Sequence, residues 1–162
     1  AKAVELDPTS SQAFNNMGVA LRAQGAFHAA VASYKRAIAV KADDASCHSN
    51  LGNALRALGR HGEAEASHRQ ALAIDPNYLE ARYNLGLVLK DQGLFDEGIA
   101  CLTAAVRQKP DYIDAHWDLK ALKLIYALSR LRPSILTSPR CLGKVFLGLP
   151  WGCNALKTSA IR

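Results

Sequence analysis

Asn50-Leu51-Gly52-Asn53-Ala54-Leu55-Arg56-Ala57-Leu58-Gly59 returns, 34 residues on, as Asn84-Leu85-Gly86-Leu87-Val88-Leu89-Lys90-Asp91-Gln92-Gly93. The same interval carries Gly52 back to Gly18 and Gly59 back to Gly25. Ala3, Ala37, Ala71 and Ala105 form another row at this spacing, and Pro8, Pro76 and Pro110 another, with Ala42 in its gap. A fixed period of roughly 20 to 50 residues marks a solenoid or array, in which each unit covers its neighbour's apolar face. It predicts an extended surface for holding partners and not a pocket for chemistry.

One period, Ala45 to Tyr78, reads as two helices. Asp43, Asp44 and Ser46 offer helix-start chemistry, because short polar side chains accept from unpaired backbone N–H groups. Leu51, Leu55 and Leu58 recur at helical spacing. Gly59 ends that helix, since glycine takes left-handed dihedrals without a Cβ clash. A second helix runs from about His61 to Ile74, with Ala64, His68, Ala71 and Leu72 among its contacts, and Asp75-Pro76 stops it. Helices of roughly 12 to 15 residues are marginal alone in water, so stacking has to supply the stability. Gly52 lies inside the first helix, where glycine costs about 0.5–1 kcal/mol relative to alanine. The cost repeats at Gly18 and Gly86, which points to close helix approach. Ala30, Ala64 and Gly98 are small at the matching point of the second helix, so small is expected to face small.

These residues carry a resemblance. Phe14-x-x-Met17-Gly18-x-x-Leu21, then Ala30-x-x-x-Tyr34, Ala37 and a helix stop, resembles the tetratricopeptide repeat. His48, Leu51, Gly52, Leu55, Ala64, His68, Ala71 and Pro76 repeat the pattern, as do Arg82, Leu85, Gly86, Leu89, Gly98, Leu102, Ala105 and Pro110. The resemblance implies an all-α fold: a right-handed α-solenoid of antiparallel helix pairs, its concave wall lined by the first helix of each repeat. Repeats are expected at 11–44, 45–78 and 79–112. Residues 1–8 read as the end of a truncated preceding repeat, with Val4 and Leu6 poorly covered. A partial repeat or capping helix follows at 113–131, where Lys120 and Ala127 stand in place of the two glycines. An irregular basic tail is expected at 132–162.

Net charge follows that division. Residues 1–118 hold 12 Lys/Arg and 14 Asp/Glu, whereas residues 119–162 hold 8 Lys/Arg and no acid, and the two parts sum to the net +6. The repeats therefore give no electrostatic case for nucleic acid, and the basic tail brings no aromatic platform. The loss of all acids where the repeat breaks favours out-of-frame translation over a native tail, disordered or functional. No run of 18 or more apolar residues exists to span a membrane. Cys47, Cys101, Cys141 and Cys153 form no C-x-x-C pair and no zinc spacing. They read as reduced apolar fillers, with a Cys141–Cys153 disulfide as the alternative, and suit a reducing, cytoplasmic compartment. No metal and no cofactor is expected.

The candidate binding residues stand in two rows. Asn16, Asn50 and Asn84 recur at the period and Asp118 continues the row, with Asn53 beside it. Stacked amides can both donate to and accept from an extended peptide backbone. The competing reading is a structural amide bonded to a neighbouring helix. Arg22, Arg56 and Lys90 make a cationic row suited to an acidic or phosphorylated peptide, or else a solvated edge. At the places where chaperone-binding members carry a carboxylate clamp, this chain has Asn15, Val19, Glu80 and Asn84, which argues against a chaperone tail. His28, His48, His61, His68 and His116 are scattered, and no nucleophile elbow or phosphate loop appears, so no catalytic residue is assigned. The expected function is a non-catalytic module binding a protein or extended peptide. The alternative is the substrate-recognition arm of a glycosyltransferase, because repeats 50–56 and 84–90 are similar to those of O-linked N-acetylglucosamine transferases, where asparagine ladders hold peptide main chain.

Overall fold

The structure is a computed structural model and describes residues 10–130. The expected end of a preceding repeat at 1–8 with Val4 and Leu6, the stretch 132–162 expected as a basic tail, and Cys141 and Cys153 lie outside the described residues. The chain divides at Tyr126 into two compact units; the first holds the array, and only the end of the last helix represents the second.

Seven α-helices and no strand occur among the described residues: α1 (Ser11–Ala23), α2 (Phe27–Val40), α3 (Ala45–Ala57), α4 (His61–Ile74), α5 (Leu79–Asp91), α6 (Phe95–Gln108) and α7 (Ile113–Arg130). Capping chemistry sets where they begin. Ser10 accepts from the Ala13 N–H at the start of α1, and Asp44 Oδ1 accepts from Ser46 and Cys47 at 3.0 and 3.2 Å at the start of α3. The first helices of three successive pairs all end alike. Gly25, Gly59 and Gly93 take φ of 75°, 72° and 78°. In the middle pair the Gly59 N–H donates to Arg56 O and the Arg60 N–H to Leu55 O, at 2.9 and 3.0 Å, and the other two turns repeat both bonds.

Each first helix packs on its own second helix, α1 on α2, α3 on α4 and α5 on α6. Each second helix then packs on the next first helix, α2 on α3 and α4 on α5, while α1, α3 and α5 touch in series. One core cluster joins Ala30, Val31 and Tyr34 to Leu51, Ala54, Leu55, Ala64 and Val88. A second joins Leu87 and Leu102 to Leu119 and Leu122 of α7. The alanine row is fully enclosed, with Ala37, Ala71 and Ala105 each 0% exposed. This pattern of neighbour-only packing is the all-α solenoid expected from the period.

The helical glycines correct one expectation. Small does not simply face small. A Cβ on Gly18 would stand 2.5 Å from the Tyr34 ring, and one on Gly52 would stand 2.6 Å from His68 Nε2. On Gly86 it would meet Leu102 Cγ at 2.8 Å and only then the Gly98 carbonyl at 3.3 Å. The glycine is thus a socket for one large side chain per hairpin. Tyr34, His68 and Leu102, which fill the sockets, are all 0% exposed.

Candidate functional site

Side-chain bonds between successive first helices fall one residue off the period. Asn50 Nδ2 on α3 donates to the buried Asn15 Oδ1 on α1 at 3.1 Å. Arg56 Nε on α3 meets Asp91 Oδ2 on α5 at 2.6 Å. Tyr83 Oη on α5 donates to Asp118 Oδ2 on α7 at 2.6 Å. Each pair is separated by 35 residues, because the neighbouring helix brings its next residue alongside. Lys90 reaches back instead, 3.3 Å from Asp118 Oδ1. Burial raises the Tyr83 phenol's pKa, and its bond to the Asp118 carboxylate raises it further.

A solvent-open cleft of about 480 Å³ crosses these helices, lined by Arg22 of α1, Asn53, Arg56 and Ala57 of α3, and Asn84 and Asp91 of α5. It gathers four of the residues marked in the sequence: Arg22, Asn53, Arg56 and Asn84. The other four do not line it. Asn16 is exposed and accepts from Gln12 within its own helix at 3.0 Å. Asn50 is engaged by Asn15, Asp118 by Tyr83 and Lys90, and Lys90 by Asp118. Among the described residues no hydrogen bond occupies the Asn53 or Asn84 side chain, so both amides remain able to donate and accept.

Arg22 differs from the other two cations. It enters no ion pair among the described residues, and its Nε is buried with no hydrogen-bond partner. The Tyr34 hydroxyl is likewise buried and stands next to this guanidinium, without the geometry of a full hydrogen bond. Burial raises the Tyr34 pKa, and the adjacent Arg22 guanidinium draws it partway back. Asp91 and Ala57 were not singled out in the sequence. The signal was present in their positions, each one residue after the cationic row.

Several other titratable groups are bound into the packing of the repeats. His68 is enclosed with both ring nitrogens unpartnered, and burial, with a smaller contribution from the Arg56 charge, lowers its pKa to about 4. His48 and His116 rest against the loop carbonyls of Ala42 and Pro110 at 2.9 and 2.8 Å, and Arg82 makes the equivalent bond to Pro76. Cys47 and Cys101 are free thiols. Burial and the nearby Asp44 push the Cys47 thiol up to about 11, which suppresses the reactive thiolate. The described residues contain no His/Cys/Asp/Glu cluster able to hold a metal, and no helix long and apolar enough to cross a membrane.

Repeated helical hairpins, a glycine socket in each, and a polar cleft across their first helices define a helical-repeat scaffold. Sequence profiles described as TPR repeat match residues 20–59 and 52–93, and one described as tetratricopeptide repeat matches 79–112. The chain belongs to the tetratricopeptide repeat family. Solved structures share the fold. The Arabidopsis OM64 TPR domain is 23% identical, with a TM-score of 0.68 over 69% of this chain and 93% of that one. The first TPR of Spaghetti (RPAP3), solved with the HSP90 peptide SRMEEVD, is 17% identical, with a TM-score of 0.72 over 75% and 96%. MamA is 24% identical, with a TM-score of 0.72 over 78% and 74%. Comparison with curated protein sequences gives no match.

Proposed function

We propose that this chain is a non-catalytic interaction module that holds an extended polypeptide along the first helices of its repeats. The observation that carries this reading is the open cleft with Asn53 and Asn84 on successive helices, their amides uncommitted. Two amides spaced along a stack can satisfy alternate main-chain groups of an extended segment without reading its side chains. The bound HSP90 peptide of the RPAP3 domain supports the general mode. A chaperone tail is not the proposed ligand: Asn15 is buried against Asn50, and Val19 offers no charge.

A narrower version, a substrate-recognition arm, is proposed on the resemblance that residues 50–56 and 84–90 bear in sequence to repeats of O-linked N-acetylglucosamine transferases. A nucleotide-sugar domain encoded beside this sequence would favour it.

The test is affinity capture with the full chain beside its Asn53→Ala/Asn84→Ala variant. Partners held by wild type should be lost by the variant while its melting temperature stays within a few degrees. Undiminished capture by a folded variant removes the amides from the mechanism.

A further inference from the structure

We infer that the cleft is charge-polarised, and that its α1 end receives an acidic side chain of the bound peptide on Arg22. The inference rests on the peptide-binding reading above and adds the chemistry of one subsite. The repeat itself supplies the comparison. Arg22 and Arg56 occupy the same register, and each faces the last residue of the next first helix. For Arg56 that residue is Asp91, at 2.6 Å. For Arg22 it is Ala57, which lines the same cleft and carries no charge. Lys90, third in the row, is held by Asp118. Among the described residues, two of the three stacked cations are therefore neutralised by an internal acid, and one is not.

The cleft lining sums to two guanidinium groups and one carboxylate. The excess positive charge lies at Arg22, the cation of the lining with no acid opposite it. A guanidinium recognises a carboxylate through two parallel N–H···O bonds, which fix direction as well as charge. An acidic residue placed there would pair with the cleft-facing part of the Arg22 guanidinium and set the polarity of the peptide along Asn53 and Asn84. At the Arg56 end the internal Asp91 excludes a second acid, so a run of acids has no advantage over one.

The experiment pans a phage library of random linear peptides, displayed through their C-termini, against the immobilised full chain. No displayed peptide then has a free chain-end carboxylate. Wild type should select a pool with one enriched Asp/Glu position. Ala57→Asp supplies the missing internal acid, on a site where Asp91 shows that the helix tolerates it, and should remove that enrichment. Arg22→Gln should do the same. Asp91→Ala frees Arg56 and should add a second acidic position. For a selected peptide, Ala57→Asp should weaken binding by about tenfold, the scale of one charge-assisted contact. A wild-type pool without an acidic position, or one that survives both Ala57→Asp and Arg22→Gln, overturns the inference and leaves peptide binding standing. A wild-type chain that selects no peptide overturns both.

Discussion

Replacing Gly52 by alanine in the middle of α3 tests the packing of the array at one atom. Helix propensity alone favours the change by about 1 kcal/mol. The hairpin opposes it. The new Cβ would stand 2.6, 2.7 and 2.9 Å from Nε2, Cε1 and Cδ2 of His68, where ordinary contact begins at 3.4 Å. The ring is 0% exposed, so displacing it means moving it against enclosing side chains. Overpacking of this kind costs roughly 1–3 kcal/mol, so a net loss of up to about 2 kcal/mol is expected. Urea unfolding followed by far-UV circular dichroism measures it, provided the slope with denaturant is unchanged. The decisive control is the same substitution in a His68→Ala background. With the ring gone, Gly52→Ala should be neutral or stabilising by up to about 1 kcal/mol, a coupling of roughly 2 kcal/mol between the two sites. Equal cost in both backgrounds would refute the socket, and so would a gain in wild type.

Further outcomes follow from neighbouring residues. Gly59→Ala places a Cβ in open space at φ 72°, so it should cost about 1 kcal/mol through backbone strain alone and show no coupling to His68. His68→Leu installs the residue that fills the third socket and removes two unpartnered ring nitrogens; denaturant melts should show a gain of about 1–2 kcal/mol. The same variant should lose a pH effect. Because folding depresses the His68 pKa to about 4, the unfolded chain takes up the proton first. Stability present above pH ~6.5 therefore falls as pH drops toward 4, by about 2 kcal/mol at pH 5, and His68→Leu should flatten that window. Leu102→Ala empties the fully buried socket at Gly86, where α5, α6 and α7 meet, and should cost about 2–5 kcal/mol by the same melts.

The array was legible because each determinant is stated several times. One Gly59 could be a chance turn; Gly25, Gly59 and Gly93 with the same positive φ cannot be read otherwise. The enclosed row Ala37, Ala71 and Ala105 was equally plain. What the sequence concealed was which residue meets the helical glycine. Pairing by size suggested Ala30 with Gly18 and Ala64 with Gly52. A helical side chain points back toward the N-terminus, so Tyr34 and His68 cover the surface one turn earlier, at the level of those alanines. Direction of the side chain, not the size of the nearest Cα neighbour, decides the contact. At Gly98, where the alanine is missing too, the two backbones come close as well.

The same geometry explains why the candidate site was half seen. Rows drawn at the period assume that equivalent residues lie opposite one another, so Asn16, Asn50 and Asn84 resemble a continuous ladder. Adjacent first helices are offset, and residue 15 meets 50, 56 meets 91, and 83 meets 118. Asn50 is thereby drawn into a bond with Asn15, while Asn84, whose equivalent neighbour one step back is Ser49, is left facing the cleft. The cationic row separates by the same rule: the residue after Lys90 is an acid and neutralises Arg56, whereas the residue after Arg56 is Ala57 and leaves Arg22 unanswered. A repeat array can therefore vary its groove charge one unit at a time by changing the last residue of a first helix, a position with no burden in the core. Ala57 and Asp91 are two settings of that position, both exposed and both outside the apolar clusters. Substitution there should redistribute binding without unfolding the repeat that carries it.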